Sequence, residues 1–286
     1  MAEIRTEGLR HVYSAGTPFE HTAIEQIDLT IPQGQMVAVI GRTGSGKSTF
    51  IQHLNALLPP TEGKVFCDGV DINTNKFTRR DVKWQVGLVF QYPEYQLFEE
   101  TVRSDIAFGP KNMKLSSEEI DARVREAARF ADVEERLFER SPLELSGGQK
   151  RRIAIAGVIA LRPGVLILDE PTAGLDPDGC RQILDNICCY RRETGSTVII
   201  VSHNMDEVAR VADRIIAFDG GRVIMDGTPE EVFSQPQKLL EAGLDVPGAT
   251  SLAMRLREAG VALEGPVYTH AQLLAAVLRA KEAAEC

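Results

Sequence analysis

The nonapeptide GRTGSGKST, Gly41 to Thr49, leaves this chain little freedom of architecture. It fits G-x-x-x-x-G-K-[ST], the loop whose backbone N–H groups wrap phosphate oxygens while its lysine neutralises their charge. Such a loop works when a buried strand delivers it and a helix continues from it, because the bound anion sits at the helix N-terminus. Both flanks are present. Met36 to Ile40 is an apolar strand-like run, and Lys47 to Leu58 has helical spacing. A glycine turn that only closed a strand would not require lysine at position 47.

Three more runs repeat that strand pattern: VGLVFQ (Val86 to Gln91), VLILDE (Val165 to Glu170) and TVIIVSH (Thr197 to His203). Each is apolar, rich in β-branched residues and closed by a polar one, as strands buried on both faces are. Helical patterns over Ser117 to Ala131, Gly148 to Leu161 and Asp178 to Glu193 alternate with them. The expected class is therefore α/β with a mainly parallel sheet, its functional residues gathered at strand C-terminal ends. IRTEGLRHVYS, IDLTIPQGQ and GKVFCDG predict a small antiparallel sheet beside it. From about residue 92 to 161 helix predominates, with a Ser-x-x-Glu capping box at Ser116 or Ser117, which marks an inserted helical subdomain. Beyond EVFSQPQ the pattern thins, and residues 236–286 read as an appended tail with a last helix from Thr269 to Ala284.

Charge and composition narrow the partners. A formal net charge of -9 argues against general affinity for nucleic acid, and the basic run Lys150-Arg151-Arg152 reads as a solvated helix face. The longest apolar run, Ile153 to Leu161, is far shorter than the roughly twenty residues of a membrane helix. MAEIRTEGLR has no export signal, so a cytosolic chain is expected. Cys67, Cys180, Cys188, Cys189 and Cys286 lack metal-ligand spacing and read as free thiols, and the five scattered histidines suggest no transition-metal site.

The chemistry can be divided by atom. Backbone N–H groups from Thr43 to Ser48 would wrap the phosphates, Lys47 would neutralise β/γ charge, and the Ser48 hydroxyl would ligate Mg²⁺. Asp169, at the end of a buried strand, would hold the Mg²⁺ shell, and Glu170 would orient and deprotonate the attacking water. Two adjacent carboxylates alone could be a solvated edge; their company with the phosphate loop favours the functional reading. Gln91 could bind Mg²⁺ or its water through the amide oxygen, and His203 could hydrogen-bond a γ-phosphate. One motif is left over. In LELSGGQKRR, Ser146 before Gly147 and Gly148 builds a second anion-binding helix start, about a hundred residues after the first.

The order of motifs (phosphate loop, strand-end Gln, LSGGQ, strand-end Asp-Glu, AGLDP, strand-end His) resembles that of ABC-type ATPases, from Ile4 to Phe233. The resemblance implies a P-loop NTPase core over 1–91 and 162–235, a helical subdomain over about 92–161, and an ATP site formed by Gly41, Arg42, Thr43, Gly44, Ser45, Gly46, Lys47, Ser48, Thr49 and Gln91. Tyr13 falls where the family stacks an aromatic on adenine, although an ordinary strand aromatic is the plainer alternative. Leu145, Ser146, Gly147, Gly148 and Gln149 match the signature motif, and Thr172 to Asp176 the D-loop, with Gly174 where many members have serine.

AGTPFEHTAI, QHLNALLPPTEG, VFQYPEYQLFEETVRSDIAFGP, AIAGVIALRP and EAGLDVPGAT are similar to the second ATPase type of energy-coupling factor transporters. That implies a peripheral protein on the cytoplasmic face of the cell membrane. It would power uptake of vitamins or transition-metal ions through a membrane scaffold and a membrane substrate-binding subunit. YPEYQLFEE would face the scaffold, and the tail would help join two ATPases. A second ATPase, related or identical, would place its phosphate loop against this chain's Ser146 to Gly148 across a half-turn. The competing readings are a conventional ABC importer, a soluble ABC protein acting on nucleic acid or ribosomes, and a non-hydrolysing subunit. The soluble proteins usually carry two cassettes or a long coiled coil, absent here, and Glu170 argues against the last.

Overall fold

The computed structural model describes residues 3–285, so Cys286 lies outside the described residues. The strands are β1 (Ile4–Tyr13), β2 (His21–Ile31), β3 (Met36–Gly41), β4 (Glu62–Cys67), β5 (Val70–Asp71), β6 (Val86–Val89), β7 (Val165–Asp169), β8 (Thr197–Val201), β9 (Arg214–Asp219) and β10 (Arg222–Gly227). Six of them form one sheet in the order β10-β9-β3-β8-β7-β6, parallel except for the β9–β10 hairpin. The other four form an antiparallel sheet in the order β2-β1-β4-β5. The expected α/β class with a separate antiparallel sheet is what the chain adopts. The β9–β10 hairpin, turning at Gly220 and Gly221, adds two strands beyond those expected. Every residue of β3, β7 and β8 is buried, and all are apolar except Thr197 at the start of β8 and Asp169 at the end of β7, as burial on both faces of the pleat favours.

Helices cover both faces. They are α1 (Lys47–Leu54), α2 (Lys76–Gln85), α3 (Val102–Asn112), α4 (Ser117–Ala131), α5 (Gly147–Ile159), α6 (Pro177–Thr194), α7 (Met205–Val211), α8 (Pro229–Phe233), α9 (Pro236–Glu241), α10 (Gly248–Glu258) and α11 (His270–Glu285). Helix α1 stops four residues short of the expected end: Ala56 turns left-handed at φ +56°, and Pro59 disfavours helical backbone at Leu58. Helix α4 is capped by Ser116, whose hydroxyl accepts from Glu119 N–H while the Glu119 carboxylate accepts from Ser116 N–H. One sheet face, with Leu166, Leu168, Val198 and Ile200, packs against Ile106, Val124, Ala128 and Ile155 of α3, α4 and α5. The opposite face, with Val37, Val39, Ile167 and Ile199, packs against Phe50 and Leu54 of α1 and against Ile4, Leu9 and Ile24 of the antiparallel sheet. The helical insertion therefore shares a core with the sheet.

The basic run does not form a solvated face. Arg151 is 3% exposed, donates to Glu94 through two nitrogens at 3.0 and 3.3 Å, and also donates to the Ala173 carbonyl. Arg152 is held by Asp132 and Gln182. Fork geometry suits Arg to joining three segments at once, which spacing along one helix cannot reveal.

The tail is built into the sheet. Leu239 and Leu244 are buried with Ala38 and Ile40 of β3 and with Met205 and Val208 of α7. Gly243 has φ +68°, and a Cβ there would stand 2.9 Å from Arg42 Cδ, so the phosphate-loop arginine lies directly on this backbone. Gly248 N–H donates to Asp206 Oδ1 at 3.0 Å. Helices α10 and α11 then bury Ala249, Ala253, Leu263, Val267, Leu273 and Ala276 in a small core of their own. Among the described residues no helix is long and apolar enough to cross a membrane.

Candidate active site

Strand β3 ends at Gly41 and α1 starts at Lys47, so the intervening loop turns at the carboxyl edge of the main sheet. Gly46 permits that turn: φ is +102°, and a Cβ there would stand 2.6 Å from the Ala23 carbonyl oxygen. Lys47 Nζ donates to the carbonyls of Gly41 at 2.5 Å and Arg42 at 2.9 Å. Burial pulls the Lys47 pKa down, and the charges of Glu170 and Asp169 push it back up. Its direct contacts are carbonyls, so the ammonium can still serve an anion entering the loop.

The order β3-β8-β7-β6 lines up four strand ends beside that lysine. Asp169 closes β7, with Oδ2 3.5 Å from Ser48 Oγ. Burial, then the adjacent Glu170 charge, holds its carboxyl above the usual range. Glu170 follows in left-handed backbone at φ +49°. Gln91 Nε2, beyond β6, donates to Glu170 Oε2 at 2.9 Å, and His203 Nε2, beyond β8, donates to Oε1 at 2.6 Å. Each oxygen of Glu170 keeps a further lone pair for a water proton. Tyr13, at the end of β1, holds its hydroxyl 3.3 Å from Thr49 Oγ1.

These residues share one cleft of about 500 Å³, lined by Tyr13, Thr43, Gly44, Gly46, Lys47, Ser48, Thr49, Gln91, Asp169, Glu170 and His203. Three expected binding residues stand behind the lining. Gly41 and Ser45 pack beneath the loop, and the Arg42 side chain turns toward Gly243. His21 and Ala23 also line the cleft and were not expected; His21 arrives opposite Tyr13 across the β1–β2 pairing, a contact with no local sequence signal.

LSGGQ lies elsewhere. Ser146, Gly148 and Gln149 line a second cleft together with Asp176, and none of its lining residues belongs to the first. Ser146 caps α5, accepting from Gln149 N–H at 3.3 Å while its own N–H donates to Gln149 Oε1 at 3.1 Å. The N–H groups of Gly147 and Gly148, in the first turn, have no intrahelical acceptor and form an anion-binding start. Leu145 is buried in front of it. Asp176 caps α6 through Gly179 N–H at 2.7 Å, and Gly174 sits at φ +75°, where serine would be strained.

Comparison with known proteins names the arrangement: a family model described as ABC transporter matches residues 24–173. The chain belongs to the ABC transporter family. Within it, the chain is 50% identical to the energy-coupling factor transporter ATP-binding protein EcfA2 of Caldanaerobacter subterraneus subsp. tengcongensis, over 96% of each sequence. It is 51% identical to EcfA2 of Symbiobacterium thermophilum, over 95% of this chain and 94% of that one. Among solved structures it superposes on cbiO1 from Clostridium perfringens, part of the ABC transporter complex cbiONQ, with TM-score 0.75 and 38% identity over 88% of this chain and 98% of that one. A dimeric ATP-binding cassette bound to ADP and Pi matches with TM-score 0.71 and 29% identity, over 79% and 98%. As an ABC ATPase of the energy-coupling factor class, the chain is a nucleotide-binding enzyme, and the resemblance read from its motifs holds.

Proposed function

We propose that this chain binds MgATP in the cleft over Lys47 and hydrolyses it jointly with a second ATPase, driving an energy-coupling factor importer from the cytoplasmic face of the membrane. The observation that carries the reading is the separation of two half-sites. One cleft holds the phosphate loop, Asp169, Glu170, Gln91 and His203, and a different cleft holds Ser146, Gly148 and Gln149. A head-to-tail pair would bring the second cleft of one chain onto the nucleotide in the first cleft of the other, and the γ-phosphate would then stabilise the closed pair.

The residues fit the groups this requires. Ser48 Oγ and Asp169 offer hard oxygen donors to magnesium, and Asp169, whose ionised form burial disfavours, gains from a cation there. With Nε2 on Glu170, Gln91 presents its amide oxygen as a further donor. Bound magnesium would offset charge on the β- and γ-phosphates. Lys47 would hold the same phosphates, Glu170 would take a proton from the attacking water, and His203 would donate to the γ-phosphate. Tyr13, 39% exposed at the cleft mouth, would stack on adenine.

Another surface supports the reading of membrane partners. Leu97 and Phe98 of YPEYQLFEE, with Trp84, Phe108 and Ile153, line an apolar groove, and Phe98 is 65% exposed. We assign it to the membrane scaffold, and residues 236–286 to contacts between the two ATPases. The scaffold would seat a membrane substrate-binding subunit for vitamins or transition-metal ions, a choice made in another polypeptide. Purification of the tagged chain from membranes should recover a hydrophobic scaffold and a second ATPase. Recovery only with ribosomes or DNA would overturn the reading, and recovery with a scaffold but a soluble binding protein would favour a conventional ABC importer.

A further inference from the structure

His11 and His53 form a buried pair that none of these roles uses; they are 8% and 0% exposed. His11 stands on β1 two residues before Tyr13, on the same side of the strand, and their rings meet edge to face with centroids 4.5 Å apart. His53 lies on α1, four residues after Thr49 and so directly above it.

The hydrogen bonds fix the proton positions. His53 Nδ1 is 2.7 Å from the Thr49 carbonyl oxygen, which can only accept, so Nδ1 carries a proton. Neutral His53 then has a lone pair on Nε2, 3.2 Å from His11 Nδ1, so His11 donates to it. Burial keeps His53 neutral, pushing its pKa down to about 4. The same Thr49 that accepts from His53 through its carbonyl meets the Tyr13 hydroxyl through Oγ1, at 3.3 Å. A closed circuit results: Tyr13 ring to His11, His11 to His53, His53 to Thr49, Thr49 back to the Tyr13 hydroxyl.

We propose that His11 and His53 are positioning residues for the base end of the nucleotide: they hold the Tyr13 ring by its edge and its hydroxyl by Thr49, so that its open face is presented to adenine. The circuit ties β1 to the first turn of α1, so the base platform and the phosphate loop are set relative to each other before ligand arrives. Preorganisation of this kind raises affinity by removing the cost of ordering an exposed aromatic side chain. The proposal rests on the reading that Tyr13 stacks on adenine.

The test compares binding of MgATP with binding of magnesium tripolyphosphate, which has no base, by titration calorimetry on the full chain. His11→Ala and His53→Leu should weaken ATP about three- to ten-fold, the range of an aromatic contact, and leave tripolyphosphate within about two-fold. His53→Gln, which keeps an acceptor for His11, should restore most of the ATP affinity. Adding Tyr13→Ala to His11→Ala should cost less than the sum of the two single losses. Equal loss of both ligands, or additive losses with Tyr13→Ala, would overturn the proposal by showing that the pair only supports the loop. If Tyr13→Ala shifts the ATP-to-tripolyphosphate ratio and the histidine variants do not, the stacking reading stands and this proposal fails. An unchanged ratio in Tyr13→Ala removes the stacking reading and the proposal with it. Should His11→Ala not fold, His11→Gln supports the same comparison.

Discussion

Glu170 sits between two donors from flanking strand ends, on a backbone conformation that few residues other than glycine adopt readily. Such strain persists where the surroundings fix it, and here they fix one carboxylate. Glu170→Gln keeps the shape and loses the base. Turnover should fall by roughly 10²- to 10⁴-fold while ATP still binds, and ATP should then hold the pair closed in light scattering. Retained turnover would take Glu170 out of that role. A second prediction concerns His53, whose pKa is lowered from 6.5 to about 4 in the fold. A base depressed in this way contributes stability above pH 6.5 and loses it as pH falls through about 4, because the unfolded chain takes up the proton first. Denaturation of His53→Gln should show a shallower stability loss across that window, by up to about 3 kcal/mol. That Lys47, Asp169, Glu170 and His203 would gather in one place was legible, because each sits at a loop or strand end that the sequence marks. Arg151 and the His11–His53 pair were not, since their partners lie 57 and 42 positions away.

Helix starts carry much of the site, and α5 shows how one residue can serve two purposes. Ser146 caps the helix and also heads the anion-binding turn, so Ser146→Ala confounds about 1 kcal/mol of capping with any catalytic loss. Ser146→Asp separates them, because aspartate caps as well as serine but repels a phosphate. The variant should melt within about 2 °C of the parent and bind ATP in its own cleft normally, while hydrolysis at the partner's site fails. Loss of ATP binding by the variant chain itself would rule out the head-to-tail arrangement. Elements with strong periodicity or caps, such as β3, β7, β8 and α4, were legible in sequence. The end of α1 depended on how Ala56 and Pro59 combine, and β9 on pairing with β3, which no local window contains.

For the whole molecule, the tail is where reading from sequence alone fell furthest short: its thin pattern hid two leucines that complete the core beneath the phosphate-loop strand. Truncation after Gln235 should lower stability by about 3 to 6 kcal/mol from Leu239 and Leu244 alone, measured by urea denaturation. A fragment as stable as the full chain would show that the tail packs without supporting the cassette. The contact of Arg42 with the bare backbone of Gly243 carries a further consequence for inheritance. A side chain at 243 would carry left-handed backbone strain of its own and would push the flexible end of Arg42 aside. A tail transplanted from another member of the family should therefore be accepted most readily when it brings glycine at this turn, and otherwise at the expense of where Arg42 lies.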